Sequence, residues 1–157
     1  MHLIEDTRQQ KGKHEIKHTY WQRLGVNLVR SALPFGDYAI VPDVVVDTKA
    51  DIYEIANNLI QEHDRFRAEC IAAHNAGCLL VVLVENTDGV VDLDTLARWT
   101  ESADHYSMRR GKRRITGKRL ASIMATMTER YGVVFDFCSP NDAGRRVIEI
   151  LGGETND

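Results

Sequence analysis

The chain has 157 residues, is 43% hydrophobic and 27% charged, and carries a formal net charge of −3. This length supports one domain with a real core, and the composition is that of a soluble globular protein rather than a polycation. No apolar run approaches a membrane span and "MHLIEDTRQQ" is not a signal peptide, so a cytoplasmic protein without membrane contact is expected. Three cysteines, Cys70, Cys78 and Cys138, have no zinc-finger spacing and read as reduced thiols.

In chain order, "HLIEDT" (2–7) reads as a first strand, and "KHEIKHTYWQRLG" (13–25) as a helix that Gly25 stops. "VNLVRSAL" (26–33) is a second strand. "GDYAIV" (36–41) and "VVVDTK" (44–49) are β-rich runs joined by Pro42-Asp43, a hairpin signal. Residues 50–77 favour one helical stretch ending at Gly77. "CLLVVLVEN" (78–86) is an unbroken apolar run, expected to be a central strand buried on both faces. "DLDTLARW" (92–99) suggests a short helix. Thr116 caps a helix whose apolar face carries Leu120, Ile123, Met124, Met127 and Tyr131, and Gly132 ends it. "VVFDFC" (133–138) and "AGRRVIEIL" (143–151) close the chain as strand and helix. Alternating helices and strands imply an α/β sandwich around one mixed sheet.

Two constellations compete for the chemistry. "HEIKH" (14–18) is a literal H-E-x-x-H, the pattern that holds zinc when both histidines share a helix face. Ile16, Tyr20, Trp21 and Leu24 define the apolar face of that helix, which leaves His14 and His18 on its polar flank. His63, His74 and His105 offer no recognisable third ligand, so a surface helix is the expected reading. The carboxylates are better placed. Asp6 ends the first strand, Asp37 opens a later one, and Asp47 and Lys49 stand two apart on "VVVDTK", hence on one face. Acids on Val-rich strands need compensation, which Lys49 or a divalent cation would supply, and oxygen ligands favour Mg²⁺ or Mn²⁺. Phosphodiester hydrolysis needs such a metal and an activated water, which a lysine can orient.

The D-x(9)-D-x-K pattern is that of the PD-(D/E)XK nucleases. The chain resembles the nuclease domain of the xeroderma pigmentosum group F (XPF) type in "DTRQ" (6–9), "GDY" (36–38), "DTK" (47–49), "RFRAE" (65–69), "LLVVLVE" (79–85) and "YGVVFDFCSPNDAGRRVIEIL" (131–151). The resemblance runs over about residues 2–151. It implies a single nuclease domain with a restriction-endonuclease-like three-layer sandwich, a central mixed β-sheet flanked by helices. It also implies a metal-dependent DNA endonuclease, structure-specific for branched or flap DNA, in repair or recombination. Asp6, Asp37 and Asp47 would be carboxylate metal ligands, with the Thr48 backbone carbonyl beside them, and Lys49 would act on the water. Arg8, Arg65 and Glu69 would form a supporting shell. Asp47 stands where the family has Glu, Thr48 replaces an Arg, and Gln9 replaces a Glu. No tandem helix-hairpin-helix segment follows, so DNA binding is expected from the domain itself, a homodimer partner or another protein. The alternative is a nuclease fold without cleavage, a DNA-binding or scaffold module.

"RRGKRRITGKR" (109–119) contributes Arg109, Arg110, Lys112, Arg113, Arg114, Lys118 and Arg119, and no acid occurs between Asp104 and Glu129. It reads either as a solvated loop or as a phosphate-gripping loop for DNA. Gly111 and Gly117, and the helix N-terminus that follows, favour the second.

Overall fold

A computed structural model of the chain describes residues 2–12, 15–33, 36–40, 42–109 and 112–152. They form two compact units, Met1–Asp43 with Ala76–Cys78, and Val44–Asn75 with Leu79–Asp157.

The first unit contains β1 (His2–Asp6), α1 (Glu15–Arg23), β2 (Asn27–Ser31) and β3 (Tyr38–Ile40). Its strand order is β2-β1-β3, with β2 parallel and β3 antiparallel to β1. Two adjacent acids of β1, Glu5 and Asp6, are only 2% and 1% exposed. Buried carboxylates require partners, and those partners organise the unit. Glu5 lies beside Arg30 in the parallel register and ion-pairs with its Nε at 3.2 Å. His18 Nε2 reaches Glu5 Oε2 at 2.6 Å.

This demand sets the rotation of α1. His18 turns inward, and Trp21 meets the Tyr38 ring edge-on at 5.2 Å. The stripe Ile16, Tyr20 and Leu24, which the sequence assigns to the core, faces outward at 89%, 61% and 61% exposure. The reason is that a desolvated glutamate costs more than three solvated apolar side chains. His14 lies outside the described residues.

The hairpin expected across Pro42-Asp43 is not formed among the described residues. β3 pairs with β1, so Leu3 faces Ile40 and Glu5 faces Tyr38. The run Val44–Lys49 instead joins a second sheet. Pro42 has no N–H to extend a ladder, and Val41 lies outside the described residues. Asp37 therefore sits across from Asp6, whose N–H donates to the Asp37 carbonyl at 2.9 Å.

The second unit holds β4 (Val44–Lys49), α2 (Ile52–Ile60), α3 (His63–Asn75), β5 (Leu79–Glu85), α4 (Leu93–Arg98), α5 (Ala103–Met108), α6 (Gly117–Tyr131), β6 (Val134–Cys138) and α7 (Ala143–Ile150). Its sheet is parallel throughout, in the order β4-β5-β6. The apolar run of β5 is the central strand, as its composition predicts. Leu80, Val82 and Val84 join a core with Ile55 and Leu59 of α2, Phe66 of α3, and Leu120, Met124 and Met127 of α6. Val81 and Leu83 are buried on the other face. There α7 covers the sheet, and its Arg146 reaches Asp136, the register partner of Leu83. The expected α/β class, with helices flanking a sheet, is thus realised here.

The predicted stretch over 50–77 is two helices. The Asn57 carbonyl accepts both the Gln61 and the Glu62 N–H, which widens the turn and ends α2, and the Glu62 carbonyl then starts α3 by accepting from Phe66. Periodicity is blind to this break, because Leu59 and Phe66 are seven residues apart and keep one face. α6 starts and ends as its sequence predicts. Thr116 accepts the Arg119 N–H, and Gly132 at φ 68° closes it in the left-handed region. Among the described residues no helix is long and apolar enough to cross a membrane.

Candidate functional site

Asp47 and Lys49 lie at the C-terminal end of β4, level with Val82 and Val84 of β5, and so face the core side of the sheet with α2 and α3. A two-residue turn follows at once and is held tightly. Asp51 caps α2 by accepting the Glu54 N–H, and Glu54 accepts the Ala50 N–H at 2.7 Å. Lys49 is 9% exposed. Its Nζ lies 2.9 Å from Asp47 Oδ2 and 6.0 Å from the centre of the Phe66 ring. The alignment of Nζ on Oδ2 is poor for a hydrogen bond, so the contact is ionic. Oδ2 stays buried without a directed donor. A carboxylate oxygen in that state is one a hard cation or a bound water would satisfy. Thr48 between them points to the opposite face and is exposed.

Arg65 and Glu69 lie on the exposed flank of α3, next to the inward Phe66 and Cys70, and Arg65 ion-pairs with Glu62. No disulfide joins Cys70, Cys78 and Cys138 to one another, and burial pushes the Cys70 thiol up to about 11.

In the first unit Asp6 is fully engaged. Its Oδ1 accepts the Arg8 N–H and the Arg8 Nε–H, each at 2.7 Å. Its Oδ2 accepts the Arg8 guanidinium at 2.9 Å and the Leu33 N–H at 2.7 Å. The Arg8 side chain foremost holds this carboxyl well below the usual carboxylate range. Four donors on two oxygens make Asp6 a clamp on the β1 and β2 ends, and a metal here would have to displace Arg8. Asp37 is exposed. Within neither unit do three His, Cys, Asp or Glu residues among those described converge as a metal-binding group. His18 of the H-E-x-x-H pattern is held by Glu5.

Described residues of the basic segment gather on Glu101, which is 3% exposed. Glu101 Oε1 accepts from Arg109 Nε at 2.7 Å and faces His105 Nδ1 at 2.6 Å. Glu101 Oε2 accepts from Arg109 at 2.8 Å and from the Ile115 N–H at 2.8 Å. Arg109 foremost, then the Ile115 N–H and His105, hold the Glu101 carboxyl down to about 2 against the opposing effect of burial. Arg109 also donates to the Arg113 carbonyl at 3.0 Å, which closes the loop, and the Arg114 guanidinium sits 4.7 Å from the Tyr106 ring centre. The charge of Arg109 is therefore neutralised locally, contrary to the acid-free reading of the sequence. Glu101 escapes that reading because it precedes the acid-free stretch, and α5 between them, capped by Ser102, is not signalled by an apolar face.

Gly117 has a packing task. Its N–H donates to the Trp99 carbonyl at 3.0 Å, and a Cβ there would lie 1.8 Å from the Leu96 carbonyl oxygen. It lets α6 abut α4. Lys112, Arg113, Lys118 and Arg119 are exposed. Arg110 and Gly111 lie outside the described residues.

No protein-family model and no curated protein sequence matches the chain. Among solved structures it is similar to XPF from Aeropyrum pernix, with 19% identity and a TM-score of 0.46, covering 96% of this chain and 63% of that one. It is also similar to XPF from Aeropyrum pernix in complex with DNA, with 16% identity and a TM-score of 0.45, covering 96% of this chain and 62% of that one. The chain thus spans less than two thirds of the length of these structures.

Proposed function

We propose that this protein is a metal-dependent DNA endonuclease that hydrolyses phosphodiester bonds in branched or flap DNA, with a place in repair or recombination. The observation that carries the reading is the Asp47–Lys49 pair. Two opposite charges share one face of a parallel strand, and one carboxylate oxygen is buried without a directed donor. Asp47 and the Thr48 carbonyl would hold Mg²⁺ or Mn²⁺, which when bound neutralises charge on the scissile phosphate and makes a water nucleophilic. Lys49 orients that water or donates to a phosphate oxygen, and Phe66 beneath it limits its freedom. Asp6 and Asp37, expected as further ligands, belong to the other unit.

A second reading, a nuclease fold that binds DNA without cutting it, is favoured by one observation. Asp6 already satisfies four donors. The test incubates the purified protein with Mn²⁺ or Mg²⁺ and labelled flaps, forks, four-way junctions and plain duplex. Cleavage by the wild type, lost in Asp47→Asn and Asp37→Asn with DNA binding in EDTA retained, supports the endonuclease. Binding without cleavage under either metal selects the second reading.

A further inference from the structure

Within the second unit a cleft of about 130 Å³ runs along α2 beside α5 and the start of the basic segment. That is well below the roughly 300 Å³ at which pockets for drug-sized ligands begin, so it suits a single ring system. Its floor is apolar, made by Ala56, Ile60 and Ile115. Tyr53 and Asn57 of α2 and its C-cap residue Gln61 stand four apart, so one row supplies an aromatic ring and two amides.

The opposite wall is prearranged. The His105 ring stacks on Tyr53 at 3.7 Å with 19° between planes, and Trp99 makes a T-shaped contact with Tyr53, ring centres 5.4 Å apart. The Tyr53 hydroxyl is fixed by Ser102 at 3.2 Å. Glu101 holds His105 and Arg109 from behind and neutralises Arg109. The charge left to the cleft is that of Lys112, which has no ion pair among the described residues. Among the described residues no carboxylate lines the cleft, which argues against a cation.

An apolar floor, a stacked aromatic wall, two amides with both donors and acceptors, and one uncompensated ammonium match a planar hydrogen-bonding ring with a phosphate attached. Amides of Asn and Gln pair with base edges, and aromatic faces stack on any base. A base inside a duplex has both faces and its Watson–Crick edge already used, and its open groove edge cannot enter a cleft of this size. We propose that this cleft binds one unpaired nucleotide of DNA, with the base against Ile60 and the Tyr53–His105 stack, its edge on Asn57 and Gln61, and its phosphate on Lys112. The proposal rests on the endonuclease reading and deepens it, since it gives the domain a means of sensing single-stranded DNA.

The test is fluorescence anisotropy of the whole protein in EDTA, which separates binding from cleavage. The probes are a labelled 20-nucleotide single strand and a blunt duplex of the same sequence. An Asn57→Ala/Gln61→Ala double variant alters two exposed helix positions. It should bind the single strand about tenfold more weakly and the duplex within about twofold of wild type. Lys112→Ala should lower the salt slope on the single strand by about 0.7. Should the double variant not fold, Gln61→Glu, which puts a negative charge on the rim, carries the same expectation for the single strand. Unchanged single-strand affinity, or equal weakening on both probes, overturns the cleft assignment alone. A wild-type protein that binds neither probe overturns the assignment together with the DNA reading beneath it.

Discussion

Replacing Glu101 with glutamine takes one oxygen from a carboxylate whose two oxygens are each used twice. Oε1 serves Arg109 and His105, and Oε2 serves Arg109 and the Ile115 N–H. With its NH₂ in the Oε2 place the new amide meets two donors, and in the Oε1 place it meets the Arg109 Nε–H and a His105 Nδ1 that accepts only in its other tautomer. Two hydrogen bonds involving a charged group are lost, each worth roughly 1.5–3 kcal/mol. Arg109, with 19% of its side chain exposed, recovers part of this from water. The expected loss is therefore about 3 kcal/mol, at the low end for a broken buried ion pair.

The two tryptophans allow a clean assay, because Trp21 lies in the first unit and Trp99 in the second. In a Trp21→Phe background, Trp99 fluorescence during urea unfolding reports the second unit. With an m-value of about 2 kcal/mol/M, the midpoint should fall by about 1.5 M. The sign with pH also follows. The folded Glu101 carboxyl is held down to about 2 from its ordinary 4.5. Its contribution is therefore complete above pH 4.5 and is lost as pH falls toward about 2. The gap between wild type and Glu101→Gln should close over that window. A midpoint shift under about 0.2 M at pH 7, or a gap that does not change with acid, would refute the role given to Glu101.

Gly117→Ala should destabilise the second unit by about 3 kcal/mol in the same urea assay, because the new Cβ meets backbone oxygens that cannot rotate away. Each of Arg113, Arg114, Lys118 and Arg119 that grips a duplex phosphate should, when changed to Ala, reduce the salt slope of duplex binding by about 0.9. Arg109→Ala should instead lower the urea midpoint, since it strands Glu101. His18→Ala should leave cleavage intact and shift Trp21 fluorescence toward unfolding at lower urea, because it removes a partner of buried Glu5. Loss of cleavage in His18→Ala together with retention in Asp47→Asn would return the chemistry to "HEIKH".

Local signals in the sequence determined a good deal of this protein. The unbroken apolar run of β5 could only be a doubly buried strand, and the spacing of Leu120, Met124 and Met127 could only be one helix face. Thr116 and Gly132 bounded that helix through chemistry confined to a few residues. The two-residue step from Asp47 to Lys49 fixed their common face before any tertiary contact was known. Tertiary structure decided what depended on partners far along the chain. Pro42-Asp43 reads as a hairpin until β1 claims β3 and β5 claims β4, because which strand wins an edge depends on what the other strands bury. The apolar stripe of α1 reads as core until Glu5, buried ten residues before its first turn, draws His18 inward. The basic segment reads as unneutralised until Glu101 folds back onto Arg109. In the last two cases a desolvated charge, whose cost exceeds that of exposing a few apolar groups, chose its partner through space, and composition along the chain carries no record of that choice.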